Sequence, residues 1–168
     1  MAPVESAAID PKEFRRAGGK FLTGVTIATV RAADGTPHGL TANSFTTVSL
    51  TPPLILLCVD TRARLLDHFL GTGYFAINVL SEAQQELSSR FAKPNIDRFE
   101  GVEWQEGRTG APLLPGSLAT MECKLVQQPV AGDHIILVGE VLHLSMADGN
   151  PLAYYSGGYR QIAPVPAG

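Results

Sequence analysis

Residues 39–64 form two successive strand-like segments of opposite character, and this contrast limits the possible folds more than any other part of the chain. The first segment, Thr41 to Thr51, carries six hydroxyl side chains and an Asn, which is too polar for a core, yet its Thr, Val and Phe content suits a strand. The second, Leu54 to Val59, is continuously apolar and is typical of a buried strand. A turn with two arginines follows it. A polar strand beside a cationic turn predicts a groove for a flat, anionic ligand with polar edges.

Local signals along the rest of the chain predict an antiparallel protein with little helix. Asp10-Pro11-Lys12-Glu13 is a helix start, because Asp is a good N-cap and Pro suits the first helical position. Ala33-Asp34-Gly35-Thr36 is typical of a hairpin turn. We predict about six strands, over residues 23–30, 41–51, 54–59, 74–80, 117–126 and 134–145. We predict three short helices, over residues 10–17, 62–70 (capped by Thr61) and 81–91. Because no βαβ alternation occurs and closure removes exposed sheet edges, we expect a mainly β fold, a closed or split antiparallel barrel.

Two further segments shape this expectation. His134 to Ser145 is apolar on both faces for much of its length. In an antiparallel strand this pattern requires a barrel interior and also an outside partner, a helix or a second subunit. Residues 92–115 are rich in Gly, Pro and charge, and they are too long for a plain connector, so we expect an ordered loop or a lid.

Composition excludes several classes of protein. The 168 residues suit one domain, spanning 1–168 with a core of about 10–162, and 45% hydrophobic with 17% charged residues is typical of a packed soluble protein. A net charge of −3 does not favour nucleic acid or an anionic membrane as partner. The chain shows no signal peptide or bilayer-length apolar stretch, two cysteines in apolar runs and no metal-ligand spacing among its histidines. We therefore expect a cytoplasmic protein without a metal.

Several motifs occur in a recognisable order between Phe14 and Arg160. They are Thr23-Gly24-Val25-Thr26, Gly39-Leu40-Thr41-Ala42-Asn43-Ser44-Phe45, Val48-Ser49-Leu50-Thr51-Pro52-Pro53, Cys58-Val59-Asp60-x-Arg62-x-Arg64, Phe75-Ala76-Ile77-Asn78-Val79-Leu80, Gly132-Asp133-His134, Val138-Gly139-Glu140-Val141 and Gly158-Tyr159-Arg160. Together they resemble the short-chain flavin reductase family, whose members supply reduced flavin to two-component monooxygenases. The resemblance implies an FMN-binding split β-barrel of Greek-key type, a homodimer, FMN or FAD as the flavin, and NADH or NADPH as the hydride donor.

The resemblance also assigns site residues by position. The flavin ring edge and ribityl chain would meet Thr41, Ala42, Asn43 and Ser44, while the ring and phosphate would be wrapped by Cys58, Val59, Asp60, Thr61, Arg62, Ala63 and Arg64. Phe91, Ala92 and Arg98 would approach the flavin from a helix and loop, His134 would serve the nicotinamide side, and Tyr159 would pack over the site. Family members often have Ser where this chain has Ala63, so one possible phosphate hydroxyl is missing.

Some of these residues also suit a purely structural role or depend on a predicted helix. Phe91 suits a core equally well, and a His at the start of a strand, such as His134, is often a satisfied surface group. Arg62 and Arg64 would lie in the first turn of the predicted helix 62–70, where they oppose the helix dipole but suit a phosphate.

Three functions remain open from the sequence. The first is an NAD(P)H-dependent flavin reductase, and the second is a non-catalytic FMN-binding or electron-carrier protein on the same barrel. The third is a relative of pyridoxamine-phosphate oxidase, which should need more basic residues than this chain offers. No G-x-G-x-x-G opens a helix, which agrees with a transient and shallow nicotinamide site.

Overall fold

Antiparallel strands dominate the computed structural model, which describes residues 8–163. The helices are α1 (Pro11–Gly18), α2 (Leu66–Thr72) and α3 (Gln85–Ala92), the last preceded by a 3₁₀ turn, Glu82–Gln84. The strands are β1 (Thr23–Gly24), β2 (Thr26–Arg31), β3 (Pro37–Ala42), β4 (Thr46–Leu50), β5 (Pro53–Asp60), β6 (Tyr74–Val79), β7 (Gln105–Glu106), β8 (Pro112–Leu113), β9 (Ala119–Gln127), β10 (Val130–Ala131), β11 (His134–Met146), β12 (Ala153–Tyr155) and β13 (Gly158–Arg160). The predicted mainly β fold with short helices is confirmed.

The main sheet runs in the order β3-β2-β6-β9-β11-β5-β4, with β10 added to β11. Every paired neighbour in it is antiparallel. β3 and β4 are its outer strands, and they do not pair with each other within residues 8–163. The barrel is therefore split rather than closed. A smaller sheet, β1-β12-β13, lies beside it.

The predicted strand from Thr41 to Thr51 is wrong as a single element, because it divides into β3 and β4 on opposite edges of the sheet. The crossing chain is fixed at Ser44. Its hydroxyl accepts a hydrogen bond from the Cys58 backbone N–H (3.1 Å) and donates one to the Cys58 carbonyl (3.2 Å). A side chain thus replaces the backbone hydrogen-bond ladder at this point, and over the three residues between Ala42 and Thr46 the chain changes its pairing partner from β2 to β5.

The predicted helix start at Thr61 is also wrong, because α2 begins at Leu66 and has no side-chain cap. Thr61 instead donates to the Asp133 carbonyl through both its backbone N–H (2.9 Å) and its hydroxyl (3.1 Å). Arg62 and Arg64 consequently lie in a turn before the helix, so the argument from the helix dipole does not apply to them.

Two apolar clusters hold the fold. The barrel interior receives alternate residues of β5, namely Ile55, Leu57 and Val59, whereas their neighbours are half-buried. The predicted buried strand is therefore confirmed for the face that points into the barrel, while the other face is half-buried. The second cluster lies beneath α3 and contains Val25, Ile27, Leu80, Phe91, Phe99, Leu114 and Leu152.

The segment 92–115 belongs to this second cluster and is an ordered loop. Phe99 and Leu114 are buried, and the Leu114 backbone N–H donates to the Asn78 side-chain oxygen at 2.8 Å. These contacts fix the loop against the sheet. Among the helices that the structure describes, none has the length and apolar character needed to span a bilayer.

Candidate functional site

A cavity of about 200 Å³ opens where the end of β3 meets α3 and the β12–β13 hairpin. Its lining residues are Val25, Thr41, Ala42, Asn43, Ser88, Ala92, Tyr154 and Tyr159. Five of the residues predicted for the site therefore meet in one place. They come from three elements that are far apart in sequence.

The β3 end is held by hydroxyl groups. The Thr41 hydroxyl donates to the Ser88 carbonyl at 2.7 Å, and the Thr26 hydroxyl donates to the Ala42 carbonyl at 2.8 Å. The Asn43 side chain is exposed and makes no hydrogen bond to the described residues. Its amide is therefore free to serve as both donor and acceptor for a ligand.

Sequence reasoning missed Ser88 and Tyr154. Ser88 is fully buried, and its hydroxyl lies 2.8 Å from the Tyr159 phenol oxygen. The spacing held a signal, because Ser88 is four residues before Ala92 and so lies on the same helix face. Tyr154 packs edge-to-face on Tyr159, with ring centroids 5.5 Å apart.

The end of β5 joins this region through the bond between Ser44 and Cys58. The Cys58 thiol is half-buried, and loss of hydration raises its pKa, so it stays protonated at neutral pH. Val59 points into the barrel core and is 3% exposed. Its side chain therefore belongs to the core, and a contact of Val59 with a ligand would have to come from its backbone.

The cationic turn contains two arginines in different situations. Arg62 is bound by Asp60, whose carboxylate accepts from Nε at 3.1 Å and from Nη2 at 2.8 Å. The same guanidinium holds the pKa of Asp60 well below its usual range. Arg64 is exposed and has no hydrogen bond or ion pair among residues 8–163. Arg64, more than Arg62, is thus available to an anionic ligand, and Ala63 between them adds no polar group.

His134 lies close to this turn, because it is the register partner of Asp60 across β11 and β5. Its Nδ1 is 2.7 Å from an Asp133 carboxylate oxygen, and this hydrogen bond lowers the pKa of Asp133. His134 does not line the cavity beside Tyr159. The structure therefore places it with the Cys58–Arg64 segment and not with residues 41–44 at the end of β3, which we call the shelf.

Phe91 and Arg98 support the shelf from behind. The Phe91 side chain is fully buried and packs edge-to-face on Phe99, so it is a core residue, the alternative that the sequence left open. Arg98 donates from Nη1 to the Gly39 carbonyl at 2.7 Å and from Nε to the Lys93 carbonyl at 2.9 Å. Partial burial lowers the pKa of Arg98. Both side chains brace β3 from the side of α3 and the 94–99 loop.

The arrangement suits a flat ligand that carries an anionic tail. β3 is an outer strand, so part of its backbone N–H and C=O groups are free of the ladder. Asn43 adds an exposed amide, and Arg64 adds a free guanidinium. These are the donors and acceptors that a flavin ring edge and its phosphate require, and the residues present therefore fit a flavin nucleotide.

Comparison with known proteins gives the same assignment. Residues 18–163 match the family described as "Flavin reductase like domain". The chain belongs to this family.

Three relatives illustrate the likeness. The "Probable flavin reductase" of Rhizobium meliloti (strain 1021) is 46% identical over 156 residues, covering 93% of this chain, and the chain spans about half (50%) of that protein. The reductase subunit HsaB of a flavin-dependent monooxygenase from Rhodococcus jostii (strain RHA1) is 42% identical over 168 residues, 98% of this chain and 86% of that protein. The structure of the Streptomyces globisporus C-1027 NADH:FAD oxidoreductase SgcE6, in complex with NAD and FAD fragments, has a TM-score of 0.88 at 37% identity and covers 96% of this chain and 100% of that one. The predicted family, an oxidoreductase family whose members use flavin and a nicotinamide nucleotide, is confirmed.

Proposed function

We propose that this chain reduces FMN or FAD with NADH or NADPH and passes the reduced flavin to a partner monooxygenase. The observation that carries this proposal is the polar shelf at the end of β3, Thr41 to Ser44, joined to the end of β5 at Cys58 in a chain of the flavin reductase family. Relatives are named both as NADH:FAD oxidoreductase and as the reductase subunit of a monooxygenase, which supports the two halves of the proposal.

The protein's task is to bind and to orient. When bound, the flavin supplies the hydride-accepting chemistry, and the protein leaves one ring face open. In the proposed assignment Asn43 and the free backbone groups of β3 bind the ring edge, and Ser44 keeps that edge in register with β5. Arg64 and the backbone of residues 61–64 bind the phosphate. Binding in this way holds the ring against the barrel, so a visiting nicotinamide can approach from one side only.

His134 is proposed to act on the donor side. It lies beside the Cys58–Arg64 segment, and its Nδ1 is bound by Asp133. This bond leaves Nε2 as the nitrogen that can donate to or accept from a carboxamide. Tyr159 is proposed to form the opposite wall, where it fixes the position of the nicotinamide relative to the flavin.

We further propose a homodimer. Leu142, Leu144 and Met146 on the second half of β11 are 42%, 62% and 81% exposed, and Leu50 on β4 is 92% exposed. Large exposed apolar groups of this kind mark interaction surfaces. A monomer by light scattering at micromolar concentration would contradict the dimer. We also propose the cytoplasm as the site of action, where both cysteines, neither of them in a disulfide, stay reduced.

Steady-state NADH oxidation, followed at 340 nm with FMN, FAD or riboflavin as acceptor, tests the function. We expect turnover with at least one flavin and its loss in Asn43→Ala, with Gln128→Ala as the control for an exposed side-chain amide that does not line the cavity. No flavin-dependent oxidation of NADH or NADPH would refute the proposal. A purified protein that holds FMN stoichiometrically and does not oxidise NADH would instead indicate the electron-carrier function.

A further inference from the structure

We infer that Ser88 is a positioning residue: its buried hydroxyl fixes the Tyr159 ring at the wall of the cavity where the hydride donor approaches. The inference rests on the proposed function. Ser88 lies on α3, outside the motifs that carry the family resemblance.

The geometry places Ser88 at a junction of three elements. The residue is fully buried, and its Oγ lies 2.8 Å from the Tyr159 phenol oxygen on β13. Its backbone carbonyl accepts the Thr41 hydroxyl of β3 at 2.7 Å. The two bonds use different atoms of Ser88, so the side chain serves Tyr159 alone and the backbone serves the shelf.

Tyr159 depends on this bond for its orientation. The edge-to-face contact with Tyr154, at an interplanar angle of 72°, holds the body of the ring but leaves it free to pivot. The only other hydroxyl near the phenol oxygen in the described part of the chain is that of Ser89, at 3.4 Å. Without the Ser88 hydroxyl, the half-buried Tyr159 phenol oxygen loses its 2.8 Å hydrogen bond. A phenol left without such a bond turns toward water.

A pivot of the ring would change the cavity where the nicotinamide must stack. Small displacements of positioning groups reduce the population of near-attack geometries and therefore the rate. Because the bond from Thr41 goes to the Ser88 backbone, replacing the side chain should leave flavin binding intact. The expected signature is a loss on the NADH side only.

A double-mutant cycle tests the inference with the full-length protein. For Ser88→Ala and Tyr159→Phe we each expect kcat/KM for NADH, at saturating flavin, to fall about tenfold, the equivalent of one buried hydrogen bond. The double variant should be no worse than Tyr159→Phe, because both changes break the same bond. For Ser88→Ala the flavin Kd, from fluorescence titration, should stay within about twofold, because the Thr41 hydroxyl bonds the Ser88 backbone and not its side chain. Ser89→Ala is the matched control and should change kcat/KM by less than about twofold, since a 3.4 Å contact is weak.

A second measurement does not depend on turnover. In flavin-free protein labelled with ¹³C-tyrosine, four tyrosines give a simple spectrum, and Tyr159→Phe assigns the Tyr159 ring by its absence. We expect faster ring flipping and a shifted ring signal for Tyr159 in Ser88→Ala and little change in Ser89→Ala. If Ser88→Ala does not fold, Ser88→Cys carries the test, because a thiol fills the same space but is a weak hydrogen-bond partner, and the same loss in kcat/KM and the same change in the Tyr159 ring signal are expected.

Two results would overturn the inference while leaving the proposed function in place. One is wild-type protein that reduces flavin while Ser88→Ala shows unchanged kcat/KM and an unchanged Tyr159 ring signal. The other is additive losses in the double variant. A wild-type protein without flavin-dependent NADH oxidation would instead refute the proposed function itself, and the role of Ser88 with it.

Discussion

Gly39→Ala should destabilise the protein through a single defined clash. A Cβ at this position would lie 2.8 Å from Cε1 and 3.0 Å from Cδ1 of Phe91, and 3.1 Å from the Ala28 carbonyl oxygen. Phe91 is fully buried, and its ring centroid is 4.9 Å from that of Phe99, so the ring cannot yield without moving its neighbour. The added methyl group therefore has to displace α3 from β3.

The cost can be worked from these contacts. Overpacking a closely fitted core by one methyl group costs roughly 1–3 kcal/mol. Replacing Gly by Ala within a strand returns about 0.5–1 kcal/mol through lower entropy of the unfolded chain. Subtracting the gain leaves a net loss of about 1 kcal/mol, within a range of roughly 0–2.5 kcal/mol, and this corresponds to a fall in Tm of roughly 2–4 °C for a domain of this size. Because α3 carries Ala92 and the Ser88 backbone carbonyl that holds Thr41, flavin affinity should fall as well.

Urea unfolding followed by circular dichroism measures the effect. The matched control is Gly24→Ala, also in a strand, where an added Cβ meets no atom within 4 Å, so stability should rise by about 0.5–1 kcal/mol from the entropy gain alone. Phe91→Leu should relieve the clash, so the double variant Gly39→Ala/Phe91→Leu should lose less than the sum of the single losses. A Gly39→Ala protein as stable as the wild type, or strict additivity in the cycle, would show that the Phe91 ring does not limit the approach of α3.

Three further changes test the site. Arg64→Ala should raise the Kd for FMN about tenfold through loss of a charge-assisted hydrogen bond to the phosphate. Riboflavin, which lacks the phosphate, is the control and should bind unchanged. Equal weakening of riboflavin binding would exclude a phosphate role for Arg64. The depressed pKa of Asp60 means that its carboxylate stabilises the fold above its ordinary pKa of 3.8 and that this contribution is lost as pH falls through the lowered value. The stability gap between wild type and Asp60→Asn should accordingly be constant above about pH 5 and shrink in more acid solution, and a gap that widens there would be inconsistent with the ion pair to Arg62. Iodoacetamide should modify Cys58 slowly at pH 7 and faster at alkaline pH, with protection by FMN. Cys123 is fully buried, burial raises its pKa to about 12, and it should stay unmodified until the protein unfolds. Mass spectrometry of the peptides distinguishes the two cysteines, and rapid labelling of Cys123 in the native state would contradict the structure.

Local chemistry in the sequence determined a good part of this protein. The Asp10 side chain caps α1 by accepting from the Lys12 backbone N–H at 2.9 Å, as its motif predicts. Gly35 adopts a φ of 87° in the turn between β2 and β3, a conformation that Gly adopts without strain. Such signals act within a few residues and therefore appear in any short window. Ordered motifs also identified the family and most of the residues that line the cavity, including Asn43 and Tyr159.

Tertiary structure decided what depends on partners distant in sequence. The polar segment 41–51 is strand-like throughout, and it divides between the two edges of the sheet because its first part pairs with β2 and its last part with β5, with Ser44 bonded to Cys58 between them. A phenylalanine at position 91 suits a contact with the flavin ring or a place in the core, and packing against Gly39 places its side chain in the core. Ser88 met Tyr159, 71 residues away, only because α3 folds against the β12–β13 hairpin. Pairing over such distances is determined by which surfaces can be buried together, and a short window of sequence contains only one of them.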